Sequence, residues 1–145
     1  MALTKRRAIK PVAFTSIELP GTAQQVYQGG VACWDTSTNL VAKGAASTTM
    51  IPIGTFAEDK LVGAGGTVLV DLFEEVRATW MKNSVANACD VPGVLCYLED
   101  DETVRKTDNT NANSVAGRIW RIDATKGVLV QFRAANGDRL GGLDA

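Results

Sequence analysis

Histidine is the most informative absence, because the 145-residue chain contains none. Histidine is the most frequent general base, the usual activator of a serine or cysteine nucleophile, and the most frequent metal ligand. Its absence excludes most hydrolase arrangements and the histidine-based metal sites. We therefore predict that the protein is not an enzyme, although chemistry by Asp and Glu alone stays open on this argument.

Long apolar runs are also missing. The apolar segments are interrupted by Gly, Asp or Lys, and none approaches the roughly 20 residues of a membrane-spanning helix. The apolar character of Met1–Pro20 is broken at Lys10, Thr15 and Glu18, which does not fit a secretory signal. We expect no membrane partner and a protein that stays in the compartment where it is made.

Cysteines are few, and their spacing is uninformative for metal binding. Cys33, Cys89 and Cys96 are an odd number and form no CxxC motif. This pattern favours buried, reduced thiols in a cytoplasmic setting over a disulfide scaffold. We predict neither a metal ion nor another cofactor.

An excess of charge of either sign is absent as well, since 15 basic and 16 acidic residues leave a net charge of −1. This balance provides no overall field for nucleic acid or an anionic membrane. The first ten residues are the exception, with four basic and no acidic residues, so the other 135 residues carry about −5. We expect this basic segment to contact a protein and not nucleic acid.

Glycines, Asn/Asp/Thr clusters and short β-branched runs are what the chain does have, and they predict a mainly β fold. Leu72–Met81 could form a short helix, but its alternating pattern favours a strand. Further strands are expected at Ile51–Ala57 and Thr67–Phe73. The predicted hairpins pair Val31–Trp34 with Leu40–Ala42, Val94–Leu98 with Thr103–Arg105, and Gly117–Ile122 with Gly127–Phe132. These elements predict a small β-sandwich or barrel built from hairpins.

A weak internal echo occurs at an offset of 63 residues. Val68–Val70 recurs as Val128–Val130 after a loop shortened by three residues. Between Gly30 and Gly54, six residues are identical to those 63 positions later. Six identities are also compatible with chance in a Gly/Val-rich chain, so duplication stays one of two interpretations. The six residues are Gly30, Val31, Cys33, Val41, Lys43 and Gly54, which recur as Gly93, Val94, Cys96, Val104, Lys106 and Gly117.

The domain organisation follows from these patterns. We predict an extended N-terminal arm over residues 1–22 and a single β domain over 23–133. If the echo is a duplication, the pseudo-repeated units within this domain are 30–73 and 93–133. Residues 134–145 contain three glycines and few apolar anchors, so we expect a flexible C-terminal tail.

Two kinds of side chain are candidates for binding. Trp34 and Trp120 are expected in the core, whereas Trp80, together with Arg77 and Lys82, is the candidate oligomer interface. The acidic turn Glu99–Glu102 is expected to be solvated. In the N-terminal arm, cations and apolar residues at i, i+2 spacing suit a strand added to a partner's sheet edge. The arm candidates are Lys5, Arg6, Arg7, Lys10, Val12, Phe14, Ile17 and Leu19.

Several segments resemble the capsid decoration (cement) proteins of phage lambda and its relatives. Trp34–Ala42, Ile53–Ala57 and the strand Gly66–Phe73 are similar to strand-turn-strand segments of that family. Ala116–Asp123 with Gly127–Val130 is similar to the closing hairpin of many phage cement proteins. The likeness covers about Val26–Phe132 and rests on strand-turn-strand patterns rather than on a chemical group.

The resemblance implies a protein that binds the outer surface of an expanded phage capsid and stabilises it against internal DNA pressure. Its partners would be the major capsid protein and itself, as a homotrimer or a dimer. It would be made in the cytoplasm of the bacterial host and end on the virion surface. The alternative function is a small-ligand or carbohydrate-binding β module of a phage particle, which three tryptophans and the glycine loops would suit.

Overall fold

The computed structural model describes residues 16–73 and 78–132, and all regular structure within these ranges is β-strand. The predicted mainly β fold is confirmed. The strands are β1 (Ser16–Pro20), β2 (Gln25–Val26), β3 (Val31–Asp35), β4 (Leu40–Lys43), β5 (Met50–Phe56), β6 (Lys60–Leu61), β7 (Thr67–Leu72), β8 (Thr79–Asn83), β9 (Leu95–Leu98), β10 (Thr103–Arg105), β11 (Val115–Asp123) and β12 (Gly127–Phe132).

The three predicted hairpins form, and turn chemistry explains two of them. In the β3–β4 turn, the Asp35 carboxylate accepts hydrogen bonds from the Ser37 amide (3.0 Å) and hydroxyl (2.7 Å). In the β11–β12 turn, Asp123 Oδ1 accepts from the amides of Thr125 (2.8 Å) and Lys126 (2.9 Å). An aspartate that binds the backbone two residues ahead favours such a reversal, because it replaces hydrogen bonds that the turn interrupts.

The strands form two five-stranded sheets, which we call unit 1 (residues 16–73) and unit 2 (78–132). Unit 1 has the order β1-β7-β5-β3-β4, and the short pair β2-β6 lies beside it. The residue after β1 is joined to the opposite edge strand β4 by an isolated parallel bridge between Gly21 and Val41. Unit 2 is a closed barrel with the order β10-β8-β12-β11-β9, sealed by parallel pairing of β8 and β10.

Both units follow one strand plan. Reading unit 2 from β8 gives β8-β12-β11-β9-β10, which matches the order of unit 1 strand for strand. The match extends to register: Gly54 lies opposite Leu72, and Gly117 lies opposite Phe132. A Cβ on either glycine would collide with a carbonyl oxygen of the neighbouring strand, so both positions require glycine for the same reason.

The sequence echo is out of register by one residue in the first strand of each repeat. Gly54 pairs with Ala32, and Gly117 pairs with Cys96, so Ala32 and Cys96 are the equivalent positions. The echo had aligned Cys33 with Cys96. The structure also extends the repeat to β1 and β8, which share no sequence signal.

The two units share a core along β3. Ala32 packs into the cluster of unit 1, while Val31 and Cys33 on the other side of the strand belong to the cluster of unit 2. The rings of Phe73 and Phe132 stack with centroids 4.3 Å apart and planes within 5°. Apolar burial on both sides of one strand therefore ties the units together.

The first strand corrects the predicted boundary of the N-terminal arm. Ser16–Pro20 pairs antiparallel with β7 of the same chain, and Leu19 packs against the core of unit 1. Ile17 and Leu19 thus complete this chain's own sheet rather than a partner's. Their i, i+2 spacing predicted a strand on a partner's sheet edge, whereas the edge that this strand pairs with is that of β7.

Candidate binding surface

The outer side of β8, β12 and β11 carries an aromatic and basic surface. Trp80 lies directly opposite Leu129, and Leu129 lies opposite Arg121, so the three side chains form a row across the strands. The Arg121 guanidinium lies 6.0 Å and the Lys126 ammonium 5.5 Å from the centre of the Trp80 ring. Both distances are within the range of cation–π attraction.

A second tryptophan reaches this surface through a β-bulge. The register of β11 against β12 shifts between Ile119 and Arg121, and the inserted residue is Trp120. Its side chain is 49% exposed, and its indole N–H donates to Gln131 Oε1 at 2.8 Å. The prediction that Trp120 lies in the core is therefore wrong, because the bulge turns it outward while Ile119 stays buried. Trp34 is half-buried against the core of unit 1.

Two further cations, Lys82 and Arg118, lie on the outer side of these strands. Lys82 pairs with Glu102 (Nζ to Oε1, 2.8 Å), and this hydrogen bond raises the pKa of the lysine. Arg118 donates to the carbonyl oxygen of Gly93 at 2.7 Å. We call this surface the Trp80 face. It consists of Trp80, Lys82, Arg118, Trp120, Arg121, Lys126, Leu129 and Gln131.

The predicted interface residues Trp80 and Lys82 lie on the Trp80 face. Arg77 lies outside the described residues, and so do six of the eight arm candidates and the predicted tail. Their roles stay predictions. Sequence reasoning missed Arg121 and Lys126, which the pairing of β12 with both β11 and β8 brings beside Trp80. It also missed Arg118, which lies opposite Gln131. The six arm residues are Lys5, Arg6, Arg7, Lys10, Val12 and Phe14.

The acidic turn between β9 and β10 packs against unit 1. The carbonyl oxygen of Asp101 accepts a hydrogen bond from the Val31 amide at 2.7 Å, and Asp100 forms a β-bridge with Ala45. Burial raises the pKa of Asp101 above its usual value. The expectation of a fully solvated turn is wrong, because Glu99 and Asp101 are half-buried where the units meet.

The three cysteines are buried free thiols, as predicted. Burial raises the pKa of Cys33 far above its usual range. A hydrogen bond between Cys89 and Cys96 lowers the pKa of Cys89 and raises that of Cys96. Cys89, whose pKa is lowered, lines a groove.

This groove of about 450 Å³ is bordered by β9 and the segment before it, by the residues that follow β10, and by β11. An ion pair between Lys106 and Asp90 (3.0 Å) borders it, and the exposed Val91 and Val94 make its rim apolar. The lining is Cys89, Asp90, Val91, Val94, Leu95, Tyr97, Lys106, Thr107 and Ile119. Its open shape and mixed lining do not indicate a particular ligand.

Within residues 16–73 and 78–132, no three Cys, Asp or Glu side chains converge as metal ligands would. The same ranges contain no helix of the length and apolar character needed to cross a membrane. Comparison of the chain with protein-family models, with curated proteins and with solved structures finds no match.

Proposed function

We propose that the protein is a capsid decoration (cement) protein, which binds the outer surface of an expanded tailed-phage capsid and stabilises it against the pressure of packaged DNA. The proposal begins from the resemblance of Trp34–Ala42 and the later segments to that family. The first of these segments forms the β3–β4 hairpin, and Gly66–Phe73 contains β7.

The interlocking of the two units is the observation that carries the proposal. β3 contributes to both cores, the Phe73–Phe132 stack joins the ends of β7 and β12, and the turn at Asp101 binds unit 1 through Val31. A body tied together at three places deforms little under load, because each contact restricts the same two sheets. Such a body is suited to a mechanical role.

Attachment would depend on many weak contacts repeated over one shell. Each copy needs only modest affinity, because a capsid that presents many sites makes removal of the whole layer improbable. In this proposal the basic N-terminal segment contacts the major capsid protein with its cations, which suit charge-assisted hydrogen bonds to carboxylates.

Shell binding can be measured by co-sedimentation of the full chain with expanded and unexpanded capsids of the phage whose genome carries its coding sequence. We expect binding to expanded shells and a higher temperature of DNA release from decorated particles. Removal of Met1–Lys10 should weaken binding by about tenfold or more. The matched control replaces Lys5, Arg6, Arg7 and Lys10 with Gln, which separates the contribution of charge from that of chain length.

Two results would count against this proposal. Equal recovery of the protein with and without expanded shells would contradict capsid binding. Full binding by the truncated chain would remove the basic segment from the mechanism.

A carbohydrate-binding module is the second candidate, and the exposed Trp120 favours it, because sugar rings commonly stack on exposed indoles in such sites. A glycan array probed with the wild-type chain and with Trp120→Ala tests this function. Binding that disappears in the variant would support it over the cement role.

A further inference from the structure

Equivalent outer faces of the two units carry opposite charge. The strand plan places β1, β7 and β5 of unit 1 in the positions that β8, β12 and β11 hold in unit 2. Glu18 lies opposite Leu69, just as Trp80 lies opposite Leu129. The position that is an indole between two cations in unit 2 is therefore a carboxylate in unit 1.

The surface around Glu18 is acidic and ordered by hydrogen bonds. Glu18 accepts a hydrogen bond from the Thr67 hydroxyl at 3.1 Å, and Glu58 accepts one from the Leu69 amide at 3.0 Å. Asp71 accepts a hydrogen bond from the Ser16 hydroxyl. We call this surface the Glu18 face. It consists of Ser16, Glu18, Thr55, Glu58, Thr67, Leu69 and Asp71, with Lys60 at its edge.

The two faces carry opposite net charge and have the same strand arrangement. Three carboxylates and one ammonium give the Glu18 face a net charge of about −2, while four cations beside Glu102 and Asp123 give the Trp80 face about +2. Each is the outer side of a three-stranded segment with a half-buried leucine at its centre, Leu69 or Leu129. Tryptophan and arginine are the residues that contribute most at protein interfaces.

We propose that these faces bind each other between copies of this chain, so that the Trp80 face of one copy covers the Glu18 face of the next. Because the contact joins two different faces, a pair of copies still has one free Trp80 face and one free Glu18 face. Further copies can therefore add until a ring closes. This contact specifies how copies of the chain would bind each other within the proposed cement role. Self-association does not depend on that role, but its occurrence on a capsid rests on the proposed function.

Two charge reversals test the contact, each with a matched control. Glu18→Lys alters the Glu18 face, and Asp59→Lys changes an exposed aspartate of unit 1 outside it. Arg121→Glu alters the Trp80 face, and Lys106→Glu changes an exposed lysine of unit 2 outside it. Circular dichroism and thermal melts confirm that each variant folds, and Glu18→Gln and Arg121→Gln are milder replacements if a reversal does not.

Sedimentation velocity of the full chain over a range of concentrations gives the readout. We expect the wild type and both controls to form the same oligomer, with an affinity that falls as salt is added. Each face variant should associate at least about tenfold more weakly than the wild type. An equimolar mixture of Glu18→Lys and Arg121→Glu should contain a heterodimer, because in that pair the intact Trp80 face of one copy meets the intact Glu18 face of the other.

Three outcomes would overturn the proposal. The wild type could remain monomeric at about 100 μM, a concentration at which even weak specific contacts are populated. The mixture of face variants could contain no heterodimer. Removal of Met1–Lys10 could abolish the oligomer while Arg121→Glu leaves it intact, which would make the basic segment the occupant of the Glu18 face. Failure of shell binding with a normal oligomer would reject the cement role alone.

Discussion

Unit 1 and unit 2 follow the same strand order, but only unit 2 closes into a barrel. In unit 2, β8 and β10 pair in parallel over Thr103–Val104, whereas in unit 1 the equivalent strands β1 and β4 meet at the single bridge between Gly21 and Val41. The comparison shows that the strand plan does not depend on closure. It depends on the inner side of the strands, where both units place the same kinds of residue.

The residues that the two units have in common lie on the inner side of the sheets, and the residues that differ lie on the outer side. Val70 and Val130 are fully buried at equivalent positions, as are Val41 and Val104. On the outer side, Glu18 takes the place of Trp80. Inner positions are restricted by packing against many neighbours, while outer positions can diverge toward different partners. The units therefore differ mainly in the side chains that they expose on their outer surfaces.

The largest expected effect is that of Phe132→Ala, which breaks the contact between the units. The variant removes a buried ring and its stack with Phe73, and we expect a loss of about 3–5 kcal/mol in the free energy of unfolding. Phe56→Ala is the matched variant in the core of unit 1. Denaturant titration with amide exchange should show one transition for both variants, and faster exchange in β7 for Phe132→Ala.

Two separate transitions in Phe56→Ala would contradict the coupling of the units. That result would mean that unit 2 stays folded when the core of unit 1 is lost, and that the shared strand β3 does not transmit the loss.

The next effect compares the two close glycines. Gly54→Ala and Gly117→Ala each force a methyl group against a neighbouring strand, at Asp71 or Gln131. We expect both to lose about 3 kcal/mol of stability, because the colliding atoms are backbone and cannot rotate away. Gly63→Ala is the control, since its Cβ would meet open space. A large loss in one unit and none in the other would show that the shared register is not a shared constraint.

These glycines show how much of the fold was available from the sequence. Gly54 and Gly117 stood out as an echo because backbone collision permits no other residue there. β1 and β8 gave no echo, because their outer residues differ and their inner residues need only be apolar. The parallel pairing of β8 with β10 was also missed, since a contact between distant segments leaves no local pattern.

The binding surface was predicted only in part, for a similar reason. Trp80 and Lys82 lie two residues apart on one strand, so the sequence alone placed them together on one side of it. Arg121 joins them only through the register of β11. The core prediction for Trp120 followed from its large apolar side chain, and no local pattern indicated the bulge that turns this residue outward.

Barrel closure should have a moderate effect on local stability. The amides of Thr22 and Ser84 are equivalent, and each donates to a valine carbonyl, Val41 at 2.8 Å and Val104 at 2.9 Å. Ser84 lies beside paired strands, while Thr22 lies beside one bridge. We expect the Ser84 amide to exchange about tenfold more slowly. Equal exchange rates would indicate that unit 1 is closed as firmly as unit 2.

The smallest effect concerns the carboxylates at the equivalent turns after β3 and β9. Hydrogen bonds from Ser37 lower the pKa of Asp35, so its ionised form stabilises the fold at neutral pH, and that contribution is lost as the pH falls through the lowered value. Burial raises the pKa of Asp101, so its ionised form opposes folding at neutral pH, and stability is regained as the pH falls through the raised value.

Replacement by asparagine should therefore act in opposite directions at the two turns. At pH 7, Asp101→Asn should raise Tm by about 2 °C, a small change because solvent still screens a carboxylate that is only half-buried. Asp35→Asn should lower Tm. As the pH falls from 7 toward 4, Tm of wild type should approach that of Asp101→Asn, since protonation of Asp101 removes the same charge. A constant gap would mean that burial at the junction of the units does not penalise this carboxylate.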